Sequence, residues 1–499
     1  MATYYIDKSA AVDGDGTEAS PRNVVPSINA SDVLFLKGGV NVGSQISVTV
    51  DNVTIASYGN GRAIINGASA LDYGVYGSAV SGLTVQDLEI YATLKNGILV
   101  DNDSAGTTKT NIKILRCKVH DILPGGLLRN TEQQVRIGTG IVVGSGPTTG
   151  LAVIDGVLID GCEIYNCGAH GLDVRWRTLN VRRTNCHVYQ CGLQIGSHGI
   201  SAHPIAATIT SGWSVVSGTT YKRTRVSSND VEQRMWNHTD STTLTKVSGT
   251  TPASGEWSVS APDIYINIGA DVAGKTFLLK RHVHGPFYDQ GHVVHDIPDF
   301  GASGEGHGID TDDGSGPCTM VRCKSYNNGG HGFYSYRGES IVRRSCLAMG
   351  NVKAGLASLN VATSTDDGNT AVNNAERGIQ ILGGDTGKAR NCLSLQNDVS
   401  GAIGSGSGLF VGGTHVGFAS TTNAIYGNGA GGTQVVGTGA AATVTADPRL
   451  TSDYKPTATS PLLAAGTHLG YRRDIEGKQR QNPPCIGAYD AATLRTPPV

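Results

Sequence analysis

Short runs in which apolar and polar residues alternate behind a glycine recur along the chain. Four of them are His170-Gly171-Leu172-Asp173-Val174-Arg175, His198-Gly199-Ile200-Ser201-Ala202-His203, His307-Gly308-Ile309-Asp310-Thr311-Asp312 and His331-Gly332-Phe333-Tyr334-Ser335-Tyr336. Alternation with period two predicts short strands with one buried face. The glycine serves as a ruler, with 332−308 = 24, 355−332 = 23 and 378−355 = 23 between Gly308, Gly332, Gly355 and Gly378. Cys117, Cys162, Cys186, Cys323, Cys346 and Cys392 form a second ruler, with 186−162 = 24, 346−323 = 23 and 392−346 = 46, and Asn369 stands in the skipped slot. The offset between the rulers stays at 15 (186−171, 323−308) or 14 (346−332, 369−355, 392−378). Each repeat therefore holds at least two strands in constant phase. Cys167, Cys191, Asn328, Asn351, Asn374 and Asn397 follow five residues after the slot and predict a stacked turn column, its asparagines an amide ladder.

A repeat of this length is short for a propeller blade and lacks the frame of leucine-rich repeats. It predicts an all-β solenoid, a parallel β-helix. Residues 1–60 read as an N-terminal segment and cap, 61–205 and 282–440 as the two parts of the solenoid, and 441–499 as a C-terminal segment closing its open end. The glycine ruler breaks once, across 308−199 = 109 residues. Within the break, residues 206–281 carry Trp213, Tyr221, Trp236, Trp257 and Tyr265 on alternating runs, which predicts a small inserted β-sandwich-like domain. Its aromatic rings suit either its own core or a platform for sugars.

Composition narrows the function classes. Only 16% of residues are charged and the formal net charge is −2, which argues against nucleic acid or an anionic membrane as partner. No apolar run approaches the roughly 20 residues of a membrane span. There are ten cysteines, six of them in one slot of the repeat, which fits a stacked interior column better than disulfides or a metal site.

Counting from the ruler glycine, the outward position +2 reads Leu99, Val142, Asp173, Ser201, Asp310, Tyr334 and Ala357, and position +4 reads Asp101, Gly144, Arg175, His203, Asp312, Tyr336 and Leu359. Both columns turn polar only in the central coils, as a groove with a reaction centre would. Asp310 and Asp312, two apart on a strand, stand about 6.7 Å apart, within the ~5–9.5 Å range of glycosidase carboxylate pairs. If Gly199 and Gly308 open adjacent coils, Asp173 lies about 10 Å away. Asp310 and Asp312 are thus the expected acid and base or nucleophile, assisted by Asp173. Arg175, Trp176, His203, Asp313, Tyr334, Tyr336, Arg337 and His307 are the expected substrate-binding residues. The same aspartates also suit turn chemistry or a Ca²⁺ site; no other cofactor is expected, and no metal is assigned. The histidines at −1 (His170, His198, His307, His331) suit a turn ladder serving the backbone better than four separate ligands. His282, His284, His292 and His295, which follow the insert with Asp289, are expected to form a groove wall, since His-x-His lacks a third metal ligand here.

With these repeats the chain resembles the right-handed parallel β-helix superfamily of pectate lyases, polygalacturonases, alginate epimerases and phage tailspikes. The ends add to the likeness: Tyr4-Tyr5-Ile6-Asp7 with Asp15-Gly16-Thr17 at the start, and Asp447-Pro448, Ser460-Pro461-Leu462, Asp474-x-x-Gly477-x-x-Arg480 and Ile486-Gly487-Ala488-Tyr489 at the close. The resemblance implies a single-stranded right-handed parallel β-helix acting on a polysaccharide, of the tailspike or depolymerase kind. It implies an extracellular or virion location, no membrane insertion, and a homotrimer where such a chain is a phage spike. The first residues lack the charged and apolar regions of a secretory signal, which fits release by lysis or a signal already removed. Two other functions stay open. One is a uronate lyase or epimerase: His307-Gly308-Ile309-Asp310-Thr311-Asp312-Asp313 shares the Gly-apolar-Asp core of the alginate epimerase motif without its Tyr and His. In that case Tyr334, Tyr336 and His203 would supply acid and base, and Arg175 and Arg337 would neutralise the substrate. The other is a non-catalytic glycan-binding adhesin or spike.

Overall fold

The computed structural model describes residues 1–104, 106–122, 138–144, 152–175, 177–192, 199–203, 206–209, 214–224, 232–237, 242–247, 250–260, 263–273, 277–281, 286–298, 306–311, 316–336, 338–384, 386–397, 407–412, 417–428, 435–436 and 442–490, with only the backbone through much of 201–281. One coil shows the plan. Strand Ile309–Thr311 is followed by Cys318–Val321 and Lys324–Tyr326, and the chain then returns as Phe333–Tyr336. The returning strand lies parallel to the first, with Ile309 beside Phe333 and Asp310 beside Tyr334. Among the described residues repetition builds three long sheets: the first of 13 strands (Thr3–Ile6 to Gly417–Thr421), the second of 11 (Ala63–Asn66 to Ala424–Tyr426) and the third of 12 (Ile46–Val48 to Val435–Val436). The glycine ruler opens the third-sheet strands and the cysteine ruler precedes the second-sheet strands. The first-sheet strand between them is the element that the two rulers left unmarked.

The interior explains the rulers. Ile141, Leu172, Ile200, Ile309, Phe333 and Leu356 stack inside the third sheet, fully buried. All ten cysteines are free and buried. A side chain on the ruler glycine would collide with the second sheet: a Cβ on Gly308 would lie 2.0 Å from Ser325 Oγ and 2.8 Å from the Gly332 carbonyl oxygen. At the corner before the cysteine slot, one residue per coil turns through left-handed backbone, such as Asn185 (φ 53°), Arg322 (φ 57°) and Asn391 (φ 54°). At the next corner Asn327 and Asn373 do the same, and the ladder asparagine is the residue after them. Asn328, Asn351, Asn374 and Asn397 each donate from Nδ2 to the Oδ1 of the next asparagine in the ladder, which ends at Asn428, at 2.8, 2.8, 2.7 and 2.7 Å.

Within 206–281 the described residues form eight strands hydrogen-bonded as one set, mostly antiparallel, from Ala206–Ile209 to Phe277–Arg281. They separate the third-sheet strand Ile200–His203 from the first-sheet strand Phe287–Gln290. The solenoid nevertheless resumes in register, with Val181 beside Phe287 and Ile200 beside Ile309. A polar cluster inside the core spans this join. Arg183 donates from Nε and Nη2 to the Asp289 carboxylate at 2.7 and 2.9 Å, and both side chains are fully buried. His292 lies 3.3 Å from Asp289 through Nε2, and its Nδ1 accepts the Cys186 backbone N–H at 3.1 Å. His292 thus occupies the cysteine slot of its coil rather than a groove wall. Only a core position lets its ring satisfy the preceding coil's backbone.

Residues 447–490 also depart from the expected place. Leu462 and Ile486 pack on Val372, Leu393 and Leu395, which face outward from the second sheet, so the segment lies along the flank of the solenoid. Those outward positions are apolar and need cover, which draws the segment there rather than only over the open end.

Removing one partner of the buried pair leaves an uncompensated charge, so Arg183→Ala is expected to lower unfolding stability by about 3–5 kcal/mol in a denaturant titration. Burial alone would push the Asp289 carboxyl up, but Arg183 and His292 bring it well below the usual carboxylate range. A depressed folded value gives stability that is present above the unfolded value near ~3.9 and is lost as pH falls below it. Asp289→Asn should therefore lose less unfolding free energy than the parent chain between about pH 4 and about pH 2 in denaturant titrations at each pH, and an equal loss in both would show that this pair is not the titrating group.

Candidate active site on the third sheet

Six neighbouring strands of the third sheet carry the polar columns: Asn96–Asp101, Thr139–Gly144, Leu172–Arg175, Ile200–His203, Ile309–Thr311 and Phe333–Tyr336. The long insert closes to a single step, because Ile200 pairs with Ile309. Asp173 pairs with Ser201, and Asp310 with Tyr334. Asp173 and Asp310 therefore stand on either side of Ser201 in one outward column, two rungs or about 9.6 Å apart. This column is not an open, solvated face. Asp173 and Asp310 are each 1% exposed, and Val142 beside Asp173 and Ala357 beyond the half-buried Tyr334 are buried as well. Shielding from water strengthens every charge interaction made there.

Arg175 Nε donates to Asp173 Oδ2 within the same strand. Its neighbour in the +4 column is Gly144, and the lack of a side chain there matters: a Cβ on Gly144 would lie 2.7 Å from Arg175 Cβ. Beyond Gly144, in register, lies Asp101. Burial, then the charge of Asp103 and a hydrogen bond with it, push the Asp101 carboxyl up to about 7, and Arg175 opposes the shift. Asp101 was visible at +4 but carried no assigned role. Its signal was available, since Asp101-Asn102-Asp103 repeats the Asp-x-Asp spacing of Asp310-Thr311-Asp312.

On the other side of the column the Tyr334 ring stacks on His307 (centroids 4.2 Å apart), His331 (5.0 Å) and Tyr336 (6.2 Å). His307 Nδ1 accepts the His331 backbone N–H at 3.0 Å, and His331 Nδ1 accepts that of Ala354 at 3.1 Å. These histidines form the backbone-serving ladder, so His307 touches the site through its stack on Tyr334. Burial pushes the His331 imidazole down to about 3, which keeps it neutral. His203 lies beside Arg175 in the backbone register, its side chain outside the described residues. Trp176, His198, His282, His284, Asp312, Asp313 and Arg337 also lie outside them. His295 sits on the outer face of the second sheet, stacked between Tyr189 (5.2 Å) and Tyr326 (4.6 Å). Among the described residues no group of three or more His, Cys, Asp or Glu is arranged to hold a metal ion.

The family model described as "Right handed beta helix region" matches residues 73–234 and 296–447. The chain belongs to the right-handed β-helix family. Among solved structures it is similar to a pectate lyase, Pel9A, at 12% identity and a TM-score of 0.51, over 98% of this chain and 96% of that one. It is also similar to XylC in complex with xylose, at 9% identity and a TM-score of 0.50, over 98% of both chains. A lacto-N-biosidase of family GH136 from Eubacterium ramulus aligns at 11% identity and a TM-score of 0.43, over 79% of this chain and 64% of that one. No curated protein matches the chain. At these identities the solved structures speak for the right-handed β-helix fold alone.

Asp101 offers a direct check on the electrostatics of this face. Burial is the larger cause of its shift, so Asp103→Asn should lower its titration from about 7 without returning it to the ordinary carboxylate value. Carboxyl ¹³C chemical shifts followed against pH report the change, and an unmoved midpoint would show that Asp103 is not coupled to it.

Proposed function

We propose that the chain cleaves a polysaccharide as an inverting glycoside hydrolase, with Asp310 as general acid and Asp173 as the base that activates water. The observation that carries this reading is the placement of two carboxylates in one outward column, about 9.6 Å apart at the backbone. Inverting pairs are separated by about 6.5–9.5 Å to leave room for the water, whereas retaining pairs stand only ~5–5.5 Å apart. Asp173 accepts a hydrogen bond from a guanidinium and so acts as carboxylate. Asp310 sits beside Tyr334, where the Tyr334 and Tyr336 rings provide surface and hydroxyls for the sugar. Asp101 lies two rungs and two residues from Asp173, about 12 Å, which is long for a partner sharing one bond and one water. The substrate is proposed to be a bacterial surface or extracellular polysaccharide, met outside the cell or from a virion.

The uronate lyase or epimerase reading is weaker at one place. It needs Arg175 to neutralise the substrate carboxylate, but Arg175 is engaged with Asp173. A Ca²⁺ site at Asp310, Asp312 and Asp313 would depend on two residues outside the described set.

Asp310→Asn and Asp173→Asn are each expected to reduce product release from a cleavable polysaccharide by about 10²–10⁴-fold, with unchanged circular dichroism. Proton NMR of the first product should show inverted anomeric configuration. Unsaturated uronate ends would point to elimination instead. Glycan binding with no product from any polymer would point to a non-catalytic spike.

A further inference from the structure

The Asp474-x-x-Gly477-x-x-Arg480 motif has no part in the third-sheet site. It lies in the C-terminal segment, against the corner between the first and second sheets. Asp474 fixes a turn: its Oδ1 accepts the backbone N–H groups of Glu476 (3.0 Å) and Lys478 (2.8 Å), and its Oδ2 that of Asp490 (3.3 Å). Arg480 is only 7% exposed. It donates from Nη1 to the Cys485 carbonyl (3.3 Å) and from Nη2 to Ser345 Oγ (3.0 Å) and the Gly487 and Ala488 carbonyls (2.9 and 3.1 Å). Its guanidinium lies over the Tyr471 ring, 4.9 Å from the centroid. Every one of these partners is electrically neutral. The buried Arg480 Nε–H has no acceptor among the described residues. Asp367, beside the Gly368 backbone that Arg480 Nη2 approaches, is already engaged by Arg390 at 2.8 and 2.9 Å and by Arg344 at 3.7 Å.

A buried cation with only neutral partners and an unused donor is costly unless an anion joins it. A cavity of about 210 Å³ opens beside it, lined by Arg480, Arg472, His468, Tyr471, Gln479 and Gln481 among others. Pockets for drug-sized ligands run to about 300–1,000 Å³, so this one suits a single ring rather than an oligosaccharide. Two arginines set an oxyanion, which a uronate carboxylate or an inorganic sulfate would equally supply. The amides of Gln479 and Gln481, and the apolar wall of Leu469 and Pro484, add what a sugar ring needs and a bare ion does not.

We propose that this cavity binds one acidic sugar unit, its carboxylate set against Arg480 and Arg472 and its hydroxyls against Gln479 and Gln481. The inference does not rest on the hydrolase reading. A second grip on an acidic polymer, away from the third sheet, would raise affinity through multivalency whatever reaction that sheet performs.

Calorimetric titration of the full chain with galacturonate, galactose and sodium sulfate tests it. Galacturonate should bind, galactose should not, and Arg472→Ala should weaken galacturonate at least about tenfold. Arg472 is exposed and its truncation spares the contacts of Arg480, so the fold is kept. Asp310→Asn should leave galacturonate binding unchanged, which separates this site from the third sheet. Absence of galacturonate binding, equal binding of galactose, binding of sulfate alone, an unchanged affinity in Arg472→Ala, or a loss in Asp310→Asn would each overturn the proposal.

Discussion

Each corner of the solenoid turns a backbone N–H toward an interior that holds no bulk water, and a neighbouring coil must accept it. The rest of the structure depends on this constraint. Cys346 donates to Asn369, Cys392 to Asn423, and Asn328 to Asn351, each one coil further on. Because the acceptor comes from the next coil, the column is cooperative: a coil out of phase would leave buried donors unpaired on both sides. The polar residues of the core are therefore placed by backbone geometry, not tolerated in spite of hydrophobic packing.

The same constraint explains how the chain accommodates residues 206–281. An insert of that size leaves a corner at which the two halves of the solenoid must find each other again. His292 supplies the acceptor for Cys186, and Asp289 ties His292 to Arg183 on the earlier side of the insert. The join is thus made by charge and hydrogen bonding inside the core, where the attraction is least screened. Register is kept through it. That register brings Asp310 to the same column as Asp173.

Outward positions carry no such obligation, and there the coils diverge. The second sheet carries a ladder of stacked rings at Tyr165, Tyr189, His295 and Tyr326, then turns apolar where the C-terminal segment covers it. The third sheet carries carboxylates, Arg175 and tyrosines over its middle rungs. The fold fixes the spacing of these groups to multiples of a strand separation and leaves their identity open. A right-handed β-helix can in this way present different chemistries on a constant scaffold.

By itself the sequence determined the solenoid, the phase of its rungs and the two stacked columns, because all three follow from local period and from residues that recur at fixed offset. It also showed polar residues gathering at the +2 and +4 positions of the central coils, namely Asp173, Arg175, Ser201, His203, Asp310, Asp312, Tyr334 and Tyr336. Three things were decided only by the tertiary structure. His292 looked like part of a surface histidine cluster until the register placed it in the cysteine slot. Asp101 gained its shifted carboxyl from burial and from Asp103, against the opposing charge of an Arg175 brought near across Gly144, none of which a repeat pattern encodes. The flank position of the C-terminal segment, and the neutral surroundings of Arg480 within it, come from contacts over more than a hundred residues, as between Arg480 and Ser345. Period is a local property that one chain displays in full, whereas burial and charge environment belong to neighbours that only folding brings together.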